Sequence, residues 1–254
     1  ETYTQVFQAF GGRKVVVRTL DAGADKPLAF ADLGEEENPA LGVRGLRLQR
    51  VREDLLDAQL TAIANAAAAT GAQAWVMAPM VATAEEAKWF TAKCRAAGLP
   101  TAGTMVEVPA AALRSKHVMA ECDFASIGTN DLSQYTFAAD RMNGALAGLL
   151  TGWQPALWEL IVATVEGAGG KPVGICGEVG GDPLLALVAT GAGITSLSMA
   201  TGKVGVVKAA LAKHDLATCK AMLAAVLDAV SPQEAKAAVM ALVDPEVAEI
   251  LGAA

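Results

Sequence analysis

Short apolar and β-branched runs alternate along this chain with longer stretches whose apolar residues recur at helical spacing. Lys14–Leu20 (KVVVRTL) reads as a buried strand. Ala74–Met80 (AWVMAPM), Gly103–Glu107 (GTMVE), Asp123–Gly128 (DFASIG), Val173–Cys176 (VGIC) and Ile194–Met199 (ITSLSM) follow, each interval leaving room for a helix. A weaker run at Leu41–Arg44 is a seventh candidate. The chain opens on a helical pattern, Thr2–Phe10, as though a preceding strand were absent.

Helix starts are well signalled. Thr83 with Glu86 and Ser231 with Glu234 form S/T-x-x-E capping boxes, the second with Pro232 at the first helical position. Asp182-Pro183 and Asp244-Pro245 repeat the cap-and-proline signal, and Gly191 suits the end of the helix that Pro183 begins. The uncharged stretch from Ala58 to Ala84 is interrupted by Gln59, Asn65, Gly71, Gln73 and Pro79. It reads as helix, turn and strand rather than as a membrane span. Strand alternating with helix, without a long hydrophilic linker, predicts parallel strands joined by helices.

Composition narrows the class. The 254 residues are 53% apolar but only 5% aromatic, which suits many small-residue helices packed on a sheet and excludes a disordered chain. Net charge is −7, so no broad nucleic-acid or anionic-membrane surface is expected, and any anion site must concentrate its cations locally. Cys94, Cys122, Cys176 and Cys219 are far apart, with no C-x-x-C spacing and two histidines in all. Zinc is not expected, and a reduced, cytoplasmic protein is. The opening ETYTQVFQAF has no basic start and no apolar signal core.

Chemistry-bearing residues recur at the carboxyl ends of the strands. Arg18 and Asp21 close the first, Arg44 the weak second, and Glu107 the fourth. Asn130 and Asp131 follow the fifth, and Cys176 ends the sixth. In a parallel barrel these ends open on one face, where such folds place their sites. Arg18, Arg44, Arg141 and Lys26 offer cations whose geometry suits phosphate and carboxylate oxygens. Glu107 and Asp131 offer hard oxygen ligands for a Mg²⁺ that keeps waters and takes substrate oxygens. Blander readings stand beside these: surface ion pairs for the arginines, a helix cap for Asp131, a small core residue for Cys176. The glycines flanking Cys176, Gly174 and Gly177, favour a thiol at a turn. His117 and His214 read as solvated or capping residues in helical contexts.

The motifs reached here are R-T-L-D-A-G-A-D-K (Arg18–Lys26), E-N-P-A-L-G-V-R (Glu37–Arg44), M-V-E-V-P (Met105–Pro109), S-I-G-T-N-D-L-S-Q-Y (Ser126–Tyr135), D-R (Asp140–Arg141) and G-I-C-G-E-V-G-G-D-P (Gly174–Pro183). Together and in this order they resemble the phosphoenolpyruvate-utilising enzyme family. Asp25-Lys26 makes the likeness nearest to the C-terminal domain of Enzyme I of the phosphoenolpyruvate–sugar phosphotransferase system, ahead of the dikinases and synthases.

The resemblance implies an α/β fold, a (β/α)8 TIM barrel lacking its first strand, with residues 1–254 as a single phosphoenolpyruvate-binding domain. It implies Mg²⁺ held by Glu107 and Asp131, phosphoenolpyruvate bound by Arg18, Lys26, Arg44, Asn130 and Arg141, and Cys176 as general acid. It further implies homodimerisation and transfer of the phosphoryl group to a histidine on a separate N-terminal domain, thence to a small histidine-containing phosphocarrier protein. Neither His117 nor His214 lies in a matching motif, so the acceptor domain is expected outside this chain, and the chain is expected to be part of a longer protein. Two competing readings remain, a metal-dependent pyruvate-enolate lyase and a dimerisation module without turnover.

Overall fold

A computed structural model of the chain describes residues 1–24, 28–31 and 34–251. It is an α/β structure whose six strands follow one another in the sheet in chain order, parallel in every described pairing. Two compact units are distinguished. The first holds Glu1–Met105 and His117–Ala125; the second holds Val106–Lys116 and the chain from Ser126 onward.

The chain starts with α1 (Thr2–Phe10), closed by Gly11 in the left-handed conformation, its N–H returning to Phe7 and Gln8 carbonyls. β1 (Lys14–Arg18) follows, then α2 (Leu46–Val51) and α3 (Glu53–Thr70). Leu56, Leu60 and Ile63 recur along α3 at i, i+4 and i+7, and all three are buried. β2 (Gln73–Ala78) pairs with β1 from Lys14 opposite Gln73 to Arg18 opposite Met77. α4 (Ala84–Ala96) begins at the expected capping box: Thr83 accepts from the Glu86 N–H while Glu86 accepts from that of Thr83. Phe90 anchors this helix in the core, a burial of roughly 1.5–3 kcal/mol.

β3 (Thr101–Val106) leads to α5 (Pro109–Leu113), α6 (Ser115–Glu121), β4 (Phe124–Gly128) and α7 (Thr129–Thr136). α8 (Pro155–Gly167) buries Trp158, whose indole N–H donates to the Gly152 carbonyl at 2.8 Å. After β5 (Val173–Cys176) and α9 (Glu178–Gly181), α10 (Pro183–Gly191) is buried from Leu184 to Ala189. β6 (Ser196–Leu197) and four helices complete the described chain: α11 (Val204–Ala212), α12 (Leu216–Asp228), α13 (Pro232–Met240) and α14 (Pro245–Ile250). Asp182, Ser231 and Asp244 cap α10, α13 and α14 as their cap-and-proline signals predict.

Four expectations are corrected. Leu41–Arg44 is not a strand: Pro39–Leu41 forms a short 3-10 turn, and the Val43 N–H is taken by the Glu36 carboxylate at 2.9 Å instead of by a neighbouring strand. The strand in Lys14–Leu20 is not a buried one. β1 lies at the end of the strand order, and none of its five residues is buried. Ile194–Met199 shortens to a two-residue strand. Asp131 lies within the first turn of α7 and does not cap it. No helix among the described residues is long and apolar enough to cross a membrane.

Candidate active site

In the first unit the chain leaving β1 carries the R-T-L-D motif. Its backbone is fixed from below. Thr19 N–H donates to the Met77 carbonyl at 3.0 Å, continuing the β1–β2 ladder by one residue. Gln49, buried on α2, bonds the Thr19 hydroxyl and donates to the Leu20 carbonyl at 2.6 Å, while Gln59 on α3 accepts the Leu20 N–H at 3.0 Å. A small cluster of Ala22, Ala31 and Leu48 packs beneath the turn. Arg18 and Asp21 are thereby held in place.

Asp21 joins two of the expected cations. Arg44 Nη2 lies 3.0 and 3.2 Å from its two carboxylate oxygens, with both side chains 2% exposed. Arg18 Nη1 lies 3.8 Å from the same carboxylate, but its own side chain is 43% exposed. One guanidinium is therefore buried and engaged by a carboxylate, and the other is half-exposed, with Nη1 also 3.8 Å from Met105 Sδ. Lys26 lies outside the described residues.

The second unit carries the remaining residues. Glu107 directly follows β3 and is 1% exposed. Pro109 starts α5 two residues later and keeps Val108 extended, so the chain turns immediately past the carboxylate. Asp131, 7% exposed, lies in the first turn of α7, where a negative charge is favoured by the helix dipole. Arg141 Nη1 approaches Asp131 at 3.7 Å, and its backbone N–H donates to Gln134 Oε1 at 3.0 Å.

The Asn130 side-chain oxygen accepts the Glu178 N–H at 3.3 Å, which leaves its NH₂ group to donate elsewhere. Cys176, half-buried, donates its thiol to the Ile127 carbonyl at 3.4 Å. Only the protonated thiol makes that contact. A cavity of about 430 Å³ opens beside this turn, bordered by Asn130, Gly177, Glu178, Trp153, Asp182 and Lys203.

Glu107 and Asp131 are two buried carboxylates with hard oxygen donors. Among the described residues no group of three or more His, Cys, Asp or Glu side chains comes together. Each of these two carboxylates is a hard oxygen donor of the kind a Mg²⁺ ion that keeps several waters would take.

Several of these contributors were not singled out from the sequence. Asp21 stood at a strand end without a role, and its partner is 23 residues away. Gln134 lies three residues beyond Asp131, on the same side of α7, and that spacing was the available signal. Lys203 gave none. Of the two histidines, His117 is exposed on α6, and His214 links the Ala210 carbonyl (2.8 Å) to the Asp244 N–H (2.9 Å) through its two ring nitrogens.

Each unit thus carries cationic and carboxylate side chains at or just beyond strand ends of an α/β sheet. The chain belongs to the family described as PEP-utilising enzyme, PEP-binding domain, whose profile matches residues 1–216. It is 52% identical over 247 residues to a phosphoenolpyruvate-protein phosphotransferase of Streptomyces coelicolor, covering 96% of this chain and 44% of that protein. It is 43% identical over 244 residues to the Haloferax volcanii protein of the same name, covering 90% and 43%. A multiphosphoryl transfer protein of Xanthomonas campestris is 39% identical over 246 residues, covering 93% and 29%. The chain thus spans less than half the length of these relatives.

Proposed function

We propose that this chain binds phosphoenolpyruvate together with Mg²⁺ and, within its longer parent protein, passes the phosphoryl group to a protein histidine and releases pyruvate. The observation that carries the reading is the pair of buried carboxylates, Glu107 and Asp131, with Arg141 beside the second. Carboxylates at strand ends offer the hard oxygen donors that magnesium takes, and a nearby arginine suits the phosphate and carboxylate oxygens of the substrate. The names of the relatives, which describe phosphoryl transfer from phosphoenolpyruvate to protein, support the same reading.

In this mechanism Glu107 and Asp131 would hold the ion, which would supply positive charge to stabilise the anionic substrate. Arg18, Lys26, Asn130 and Arg141 bind the phosphate and carboxylate. Arg44 belongs to the same set and also orients Asp21. Positioning and electrostatics carry most of such a transfer. As the ester P–O bond breaks, pyruvate enolate leaves, and Cys176 gives its thiol proton to C3. A general acid must hold its proton until that moment, and the contact from Cys176 Sγ to the Ile127 carbonyl favours the thiol.

The finer assignments go with this reading: a closed (β/α)8 barrel in the parent, an acceptor histidine on a separate domain, delivery to a phosphocarrier protein in sugar transport, a homodimer, and a cytoplasmic setting. The length of the relatives beyond the matched region leaves room for the acceptor domain.

Calorimetry tests the core of it. Saturable heat that requires both phosphoenolpyruvate and Mg²⁺, and that is lost in Glu107→Gln and Asp131→Asn, is expected. Absence of any saturable heat from the unaltered, folded chain would leave the purely structural module as the better description.

A further inference from the structure

We propose that Thr129 is the positioning residue for Cys176, clamping the turn after β5 onto the junction of β4 and α7. The proposal rests on Cys176 being the proton donor of the reading above. Two residues of the turn, Cys176 and Glu178, are held by three nearby groups. Cys176 offers its carbonyl to the Thr129 hydroxyl at 3.0 Å and its thiol to the Ile127 carbonyl at 3.4 Å. Glu178 offers its N–H to Asn130 Oδ1 at 3.3 Å.

Gly177 lies between them at φ +96° and ψ −165°, a region in which essentially only glycine is at ease. A Cβ there would fall 2.7 Å from Thr129 Oγ1 and 3.0 Å from Asn130 Oδ1. The close approach of the turn to Thr129 therefore depends on glycine at this position. With the carbonyl before Gly177 and the N–H after it both tied, the backbone torsions of the turn are fixed. So is the direction in which Cys176 projects its thiol.

An ordinary helical role does not account for the Thr129 hydroxyl. Thr129 is the first residue of α7, its N-cap is Gly128, and no side chain caps that end. The hydroxyl instead reaches across to β5, from a residue that is 2% exposed. Threonine is needed for an oxygen at that point, and valine would fill the same volume without it.

The test compares Thr129→Val with Thr129→Ser. Alkylation of Cys176 by iodoacetamide is followed by mass spectrometry across pH, alongside thermal melting and calorimetry with phosphoenolpyruvate and Mg²⁺. Thr129→Val is expected to melt cooperatively and to bind as the unaltered chain does. Its Cys176 should alkylate roughly five- to tenfold faster, the scale of one lost hydrogen bond, with the profile shifted to lower pH. Thr129→Ser should restore the original profile.

An unchanged profile in Thr129→Val overturns the clamp, and so does failure of serine to rescue. Should valine prevent folding, Thr129→Ala carries the same comparison, and loss of folding in both shows a purely structural hydroxyl and overturns the proposal. Protection of Cys176 by phosphoenolpyruvate with Mg²⁺ reports separately on the proton-donor reading. Alkylation unslowed by bound ligand sinks that reading and the clamp's purpose, whereas an unaffected Thr129→Val sinks the clamp alone.

Discussion

One nitrogen of Arg44, Nη2, lies within hydrogen-bond distance of both carboxylate oxygens of Asp21, at 3.0 and 3.2 Å, in a pair almost wholly removed from solvent. The contact joins the chain leaving β1 to the start of α2. Removing one partner leaves the other charge buried. Arg44→Met or Asp21→Leu alone should therefore cost about 3–5 kcal/mol by urea denaturation. The double replacement should recover a large part of that loss, since two apolar groups leave no stranded charge. Additive losses would show that the two side chains do not depend on each other.

This pair also marks the limit of what the sequence discloses. The helix starts at Thr83, Asp182, Ser231 and Asp244 were legible because each cap is followed within three residues by a proline, an acid or both. The strands were legible from their apolar runs. Burial of β1 was not, because KVVVR reads the same whether or not a neighbour covers it. Leu41–Arg44 misled because an apolar run does not reveal that Glu36 takes the Val43 N–H. Arg18 and Arg44 looked alike as strand-end arginines. Only the fold separates the half-exposed one from the one buried against Asp21, through a contact 23 residues apart.

Helix α10 approaches α12 so closely that a Cβ on Gly191 would stand 2.1 Å from the Cys219 carbonyl oxygen. The obstacle is backbone, which cannot rotate aside. Gly191→Ala should destabilise by at least about 1–3 kcal/mol, the usual range for overpacking. This is opposite in sign to the gain that alanine ordinarily gives within a helix. Denaturant melts of the variant check it, and a neutral or stabilising result would mean the two helices separate readily.

Burial pushes the Cys94 thiol up to about 12 from its ordinary value near 9.0. The folded chain keeps this group neutral, while the unfolded chain ionises it. Its contribution to stability is thus complete below the unfolded value and is lost as pH rises from there toward about 12. Melting temperature should fall across that alkaline window, and Cys94→Ala should flatten the fall while lowering stability at neutral pH. Equal alkaline slopes in the two proteins would assign the effect to other groups.

At the acid end the corresponding group is Asp215. Its carboxylate accepts the Thr218 N–H at 2.7 Å as the N-cap of α12, and that bond is the main cause holding its pKa below the ordinary carboxylate value. A depressed value means the unfolded chain takes up the proton first as pH falls. The stabilisation is present above the unfolded pKa, then declines as pH drops through it to the lower folded value. Asparagine keeps an acceptor for the Thr218 N–H but has no proton to gain. Asp215→Asn should therefore melt close to the unaltered chain near pH 3, below it at pH 7, and with a shallower acid slope between. Thermal melts at stepped pH measure this, and parallel slopes in the two proteins would show that the cap works through its hydrogen bond alone, with no contribution from its charge.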